Sequence, residues 1–159
     1  MEEYREKENK SMEEKESIRK ELQCNIHPIG FLGTYKYVVV CSYYKGQWLL
    51  SRHAKRETWE TQGGHVEQGE TPLEAAKREL YEESGVQDAE LYPVCDYYGY
   101  NSERHANGMV FLAMVHELGE LPQSEMKETR LFNELPENLT YPDVTPVLIK
   151  EAERFRKEL

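Results

Sequence analysis

The sequence predicts a single α/β domain in which a mixed β-sheet carries helices packed against it. Three features point there. Short β-branched and aromatic runs recur along the chain, a well-capped amphipathic helix lies near the middle, and a second helix with an apolar face comes last. With 159 residues, 38 % hydrophobic and 31 % charged, the chain is polar for a globular domain but has enough apolar residues for one core.

Residues 1 to about 23 are rich in Glu and Lys, and their few apolar residues (Tyr4, Met12, Ile18, Leu22) form no sustained stripe. We read residues 1–25 as a charged arm, helical or disordered, and 26–159 as the folded domain. The run Thr34–Cys41 is β-branched and aromatic, Lys45-Gly46-Gln47 is a hairpin turn, and Trp48–Ser51 is the returning strand. Residues 52–62 are polar and loop-like. Ala89–Tyr100 and Met109–Glu117 read as two further strands joined by a mobile polar loop, Asn101–Gly108. Leu131-Phe132 reads as a short strand. Asp143 or Thr145 can cap a last helix that has Pro146 in its first turn and Val147, Leu148, Ala152 and Phe155 on its apolar face.

Acidic residues outnumber basic ones by 30 to 20, for a net charge of −10. That balance disfavours a nucleic-acid backbone or an anionic membrane as partner, yet a small anionic ligand remains open if cations are brought to its site. The cysteines Cys24, Cys41 and Cys95 are odd in number and far apart, which argues against a disulfide framework or a zinc knuckle. No apolar stretch is long enough to span a bilayer and the N-terminus does not resemble a secretory signal, so a cytoplasmic protein is expected.

The helix at 71–85, TPLEAAKRELYEESG, has its ends written into it. Thr71 and Glu74 form a capping box, Pro72 takes the first helical position and Gly85 is the stop. At about 100° per residue, with Glu79 set at zero, Glu83 falls near +40° and Glu82 near −60°, so the three carboxylates share a face. Leu73, Ala76 and Leu80 form the adjoining apolar face, and Ala75 lies amid the acids, where its small side chain leaves room for a ligand. Like charges at this spacing repel one another, and bound cations offset that. All-oxygen ligands select Mg²⁺ or Mn²⁺ over zinc. A merely solvated acidic face is the alternative.

Context decides between the two. Residues 64–86, GHVEQGETPLEAAKRELYEESGV, resemble the Nudix box: Gly64, Glu70, Arg78, Glu79, Leu80, Glu82, Glu83, Gly85 and Val86 stand at its fixed positions without insertion. The resemblance implies an α/β/α sandwich with a mixed sheet and a loop-helix-loop motif. It also implies a Mg²⁺- or Mn²⁺-dependent hydrolase that cuts a diphosphate linkage in a nucleoside diphosphate derivative. Glu79, Glu82 and Glu83 are then the metal ligands, with the backbone of Gly64 beside them. Arg78 orients a carboxylate and Glu70 buttresses the loop. Glu82 or Glu83 serves as general base, unless a later loop supplies it. Glu125 best fits the place of the additional acidic ligand in MutT-like proteins, with Glu128 second. Relatives commonly have Pro-Gly-Gly where this chain has Gln62-Gly63-Gly64, which suggests a less stiff loop.

The substrate side is less determined. Tyr97, Tyr98 and Tyr100 offer a stacking surface or ordinary strand packing, with Tyr98 and Tyr100 on one face and Tyr97 on the other. Asp143 reads as a base-edge acceptor or a helix cap, and Trp59 as a pocket wall or a packed aromatic. Arg52 and Lys55 read as phosphate contacts or solvated residues, and His53 and His65 as loop residues. By elimination among subfamilies, the expectation is a MutT-like nucleoside triphosphate pyrophosphohydrolase, monomeric or homodimeric, acting on an oxidised purine nucleotide such as 8-oxo-dGTP. The alternatives are a Nudix hydrolase of ADP-ribose or a nucleotide sugar, a non-catalytic nucleotide-binding module, and an isopentenyl diphosphate isomerase-like enzyme. The last is disfavoured because no cysteine lies between Ser42 and Val94.

Overall fold

The computed structural model describes residues 10–159. Tyr4 and the first part of the charged arm lie outside the described residues. The elements are α1 (Met12–Lys20), β1 (Gln23–His27), β2 (Tyr37–Tyr44), β3 (Gln47–His53), β4 (Trp59–Glu60), β5 (Gln62–His65), α2 (Pro72–Ser84), β6 (Asp88–Tyr100), β7 (His105–Glu117), β8 (Met126–Phe132) and α3 (Thr145–Lys157).

The sheet runs β1-β6-β7-β2-β3-β4, with β5 added on β2 and β8 on β3. Among the strands of the described residues, β2 and β7 pair in parallel, from Tyr37↔Gly108 to Tyr43↔Met114, and the other strand pairs are antiparallel, which makes the sheet mixed as expected. One edge of β2 is shared: Tyr37–Val40 pair with β5, and Ser42–Tyr44 pair with β3. This division brings the Gly63-Gly64 segment onto the sheet, directly beside its central strand.

Strand alternation sorts the side chains into two cores. On one face Val38, Val40, Phe111, Ala113 and Val115 pack on Ala75, Ala76 and Leu80 of α2. On the other, Cys41, Tyr97, Val110 and Leu112 pack on Leu148, Ile149 and Ala152 of α3. The result is the helix–sheet–helix sandwich.

Several boundaries differ from the sequence reading. The polar run 52–62 contains the end of β3, all of β4 and the start of β5, because partner strands β8 and β2 supply hydrogen bonds that override its composition. The loop read as Asn101–Gly108 shrinks to four residues, Asn101–Arg104, as β7 begins at His105. The 25/26 boundary falls inside β1, whose five residues pair with β6 from Gln23↔Tyr100 to His27↔Asp96. α1 buries no residue fully, in keeping with a solvated helix, and Ser11 caps it by accepting the Glu14 N–H.

α3 is capped neither by Asp143 nor by the Thr145 side chain. Val144 takes the N-cap position without a side-chain hydrogen bond, and Asp143 accepts instead from Gln23 Nε2 at 2.8 Å. Pro146 does occupy the first turn. On α2 the predicted faces shift slightly. Ala75 is fully buried in the core rather than open among the acids, and Leu73 is 40 % exposed. Ideal helical angles put Ala75 beside the acids, yet it belongs to the buried cluster with Val38, Val40 and Phe111.

Gly85 ends α2 at φ 81°, a left-handed conformation, and a Cβ there would stand 2.1 Å from the Glu120 carbonyl oxygen. Gly85→Ala therefore meets both backbone strain and a backbone clash. We expect a loss of more than about 2 kcal/mol in chemical denaturation. An unchanged midpoint would contradict this account of the stop.

Candidate active site

The acidic face of α2 is held in place by its neighbours. Thr71 Oγ1 accepts the Glu74 N–H at 3.1 Å, and the same hydroxyl donates to Glu74 Oε1 at 3.0 Å. The cap is thus formed without the back-reaching glutamate bond of a full capping box. Pro72 and Gly85 stand at the two ends as read from the sequence.

Arg78 is the hub. Its Nε and Nη2 donate to Glu70 Oε2 and Oε1 at 2.8 and 2.9 Å, a two-pronged pairing. Nη2 also donates to the His65 carbonyl oxygen at 2.9 Å, and Nη1 to Glu79 Oε1 at 2.7 Å and, more loosely, Glu82 Oε2 at 3.5 Å. These bonds tie the helix, the loop before it and β5 into one unit. The hydrogen bond from Arg78, helped by the Glu67 backbone, holds the Glu70 carboxyl down to about 2.

Glu79 and Glu83 behave differently from the solvated acids around them. Glu83 Oε1 accepts the Gly63 N–H at 2.8 Å. Burial pushes its carboxyl from 4.5 up to about 9; Gly63 opposes this, while Glu79, Glu60 and Glu125 add to it. Glu79 is also raised, by burial first, against the pull of Arg78. Gly64 is required here by space: a Cβ would come within 2.5 Å of the Glu79 carboxylate. Glu82 stays more open, its side chain 49 % exposed.

Gln62, in the place of the expected proline, is fully buried and fully bonded. Its Oε1 accepts from Ser42 Oγ at 2.7 Å, and its Nε2 donates to Leu49 O at 3.1 Å and Ser51 Oγ at 2.9 Å. Ser51 Oγ in turn donates to the Glu83 carbonyl oxygen at 2.7 Å. The loop is therefore pinned by a buried polar network rather than loosened.

Glu125 stands just before β8. The Ala54 N–H donates to its carbonyl oxygen at 2.9 Å, and its exposed carboxylate lies 3.5 Å from His53 Nε2. It is close enough to act electrostatically on Glu83. Glu128 is committed elsewhere, accepting from Arg52 Nε at 2.8 Å.

Would the residues suit a divalent cation? Glu83 and Glu79 are oxygen donors whose charge is desolvated, and Glu83 has only one backbone donor to satisfy it. Glu82 adds a third carboxylate on the same face. In the present arrangement these groups turn toward Arg78 and Gly63, and no three His, Cys, Asp or Glu side chains among the described residues converge on one point. The chemistry of the set fits a hard cation.

On the opposite face of the sheet, a cavity of about 410 Å³ opens beside Gly63 and Gly64. Tyr37, Tyr97, Tyr141 and Val144 are among its walls, and Arg19, Lys36 and Arg104 reach it from three separate elements. Tyr97 is the one tyrosine of its strand that belongs here, its ring lying close against Gly108.

Other expected pocket residues stand elsewhere. Tyr98 and Tyr100 stack on each other, centroids 6.1 Å apart, in a shallow cleft on the other face. Trp59 is 5 % exposed and packs with Leu50 and Leu139, its edge against Phe132. Arg52 is paired with Glu128 and also donates to the Arg56 carbonyl oxygen at 2.9 Å. Asp143 borders a cleft among Glu13, Glu16 and Glu21 on α1 and just beyond. The residues that sequence reasoning missed are Arg19, Lys36, Glu60, Arg104 and Tyr141. They line the cavity from five segments with no shared motif, which only the tertiary fold brings together.

The NUDIX domain model matches residues 35–151. The chain is 35 % identical over 113 residues to the Bacillus subtilis (strain 168) protein described as "Putative 8-oxo-dGTP diphosphatase YtkD", a match covering 69 % of this chain and 70 % of that one. It is similar to the crystal structure of the Bacillus subtilis pyrophosphohydrolase BsRppH, with TM-score 0.70 and 30 % identity, covering 84 % of this chain and 90 % of the other. A MutT NUDIX hydrolase from Burkholderia pseudomallei shares the fold, with TM-score 0.63 and 20 % identity over 74 % of this chain and 96 % of its own. With Arg78 and the three box glutamates on one helix and the family model matching residues 35–151, the chain belongs to the NUDIX family and is a hydrolase.

Proposed function

We propose that the protein hydrolyses a diphosphate linkage in a nucleoside triphosphate, releasing pyrophosphate and a nucleoside monophosphate, with Mg²⁺ or Mn²⁺. The single observation that carries this is the juxtaposition of the desolvated Glu79–Glu83 carboxylates with an aromatic cavity, across the Gly63-Gly64 rim. The likeness to YtkD and BsRppH supports the reaction class and favours a purine nucleotide, with 8-oxo-dGTP to be tried first.

Glu79, Glu82, Glu83, Glu125 and the backbone of Gly64 are the groups to hold the cation. A divalent ion there supplies charge neutralisation on the diphosphate and acidifies a water. The chain's own part is positioning. Arg78 keeps Glu79 and the Gly64 loop in register, and the Gln62 network fixes the end of α2 against β3. Glu82, open to solvent, or Glu83 takes the proton from the attacking water. The base is received between Tyr97 and Tyr141 under α3. Tyr98, Tyr100, Trp59, Arg52 and Asp143 lie outside the lining of that cavity.

The test is phosphate and pyrophosphate release over a panel of nucleoside triphosphates, 8-oxo-dGTP, ADP-ribose and nucleotide sugars in Mg²⁺ or Mn²⁺. Pyrophosphate release from a triphosphate is the expected result, and Glu82→Gln lowers it at least about tenfold in a folded protein. Turnover of ADP-ribose alone would replace the triphosphate reading. Tight nucleotide binding without any turnover would indicate a binding module.

A further inference from the structure

Among the described residues, Arg52, Arg56, Arg78, Arg130, Arg154 and Arg156 each form an ion pair with a carboxylate. Arg19 and Arg104 do not, although acids outnumber bases by 30 to 20. Both line the cavity beside the Gly63-Gly64 rim, and so does Lys36, which also lacks a carboxylate partner among the described residues. Glu60 is the one carboxylate among the lining residues and is itself paired with Arg56, so the mouth of this cavity carries an excess of positive charge that suits an anion from outside.

We propose that Arg19 of α1 and Arg104 of the β6–β7 hairpin are substrate-binding residues that grip the phosphates of a 5′-triphosphate across the cavity mouth, with Lys36 between them and the glycine rim.

Arg19 sits on a helix outside the sheet. Two tethers hold that helix segment to the hairpin bearing Arg104: Ser102 Oγ donates to Glu21 Oε2 at 2.7 Å, and Lys10 pairs with Glu103. Arg19 also faces a second cation, Arg56, which is itself engaged with Glu60 at 3.0 Å. Its own guanidinium is partly desolvated, and burial and Arg56 together lower its affinity for a proton. A guanidinium presents forked donors that match phosphate oxygens.

Charge selects the substrate class. A cation held by the box glutamates would serve the scissile diphosphate, and the three positive groups at the cavity mouth call for phosphate beyond it. A neutral sugar or ribose on the distal side would leave them unpaired. The 5′-triphosphate belongs either to a free nucleotide or to the end of an oligoribonucleotide.

The inference rests on the diphosphate-hydrolase reading, and its test separates the two. Wild type, Arg19→Gln and Arg104→Gln are compared in two assays. The first is steady-state kinetics in Mg²⁺ on a nucleoside triphosphate and on a short 5′-triphosphorylated oligoribonucleotide. The second is equilibrium binding of a non-hydrolysable nucleoside triphosphate analogue without metal, set against the matching monophosphate. Each variant is expected to raise KM about tenfold on both substrates with kcat little changed, and to weaken the analogue by a similar factor while leaving the monophosphate alone. Arg→Lys at either position recovers part of the loss. Arg104 is exposed and Arg19 half-buried, and circular dichroism checks that the fold persists. Unchanged analogue affinity in both variants overturns the proposal even if turnover is normal in the wild type. A loss confined to the oligonucleotide overturns it as well, because the gripped phosphates would then lie beyond the 5′ end. Weakened analogue binding in a protein without turnover supports this site while removing the catalytic reading.

Discussion

Glu83→Gln is expected to lower turnover by about a hundredfold while making the metal-free protein more stable at pH 7. The two effects have one cause. Burial raises the Glu83 carboxyl to about 9, so the folded metal-free protein keeps a proton that the unfolded chain releases above about 4.5. A carboxylate whose folded pKa lies above its unfolded value favours the unfolded state as pH rises through that window. Wild-type stability therefore falls between roughly pH 4.5 and pH 9 through this group. Glutamine keeps the acceptor for the Gly63 N–H and has no proton to lose. The variant and wild type should match near pH 4 and diverge by about 1–3 kcal/mol at pH 7. Denaturant titrations at the two pH values in EDTA measure this. A variant less stable than wild type at pH 7 would show that the buried carboxylate is satisfied by something other than an incoming cation. Adding Mg²⁺ or Mn²⁺ should stabilise wild type and leave Glu83→Gln nearly unmoved, because a ligand that binds only the native state raises its stability.

Arg78→Gln is expected to lower kcat by at least about thirtyfold, with KM changed much less. Glutamine cannot reproduce the fork to Glu70, and it loses the bonds to Glu79, Glu82 and the His65 carbonyl together. Three carboxylates then face one another without their central cation. The His65 end of β5 loses its tie to the helix, while the Gly63 N–H stays on Glu83, so the ligand groups lose their common orientation. Arg78→Lys keeps the charge but not the fork and should recover only a small part. Full recovery by lysine would mean that charge, rather than geometry, is what Arg78 supplies. The measurement is a set of initial rates at saturating and limiting substrate.

The helix that carries the chemistry was legible because its information is local. Thr71, Pro72 and Gly85 mark its ends, the 3.6-residue repeat gathers Glu79, Glu82 and Glu83, and the spacing from Gly64 to Val86 identifies the box. Strands with strong β-branched patterns were legible for the same reason. The failures share a cause too. Trp59-Glu60 and Met126–Arg130 become strand only because β3 offers its hydrogen bonds, and Ala75 is buried because it joins the core cluster of Val38, Val40 and Phe111. Gln62 looked like a weakening of the loop, yet Ser42, Leu49 and Ser51, brought in by sheet pairing, satisfy it completely.

By itself, then, the amino-acid order determined the family, the α/β sandwich and the acidic helix face, since each depends on residues a few positions apart. The tertiary structure alone decided which aromatic of Tyr97, Tyr98 and Tyr100 faces the cavity, that Trp59 belongs to the core, and that Arg19, Lys36 and Arg104 meet at its mouth. Those depend on strand register, in which a shift of one residue turns every side chain to the other face, and on the docking of segments more than eighty residues apart.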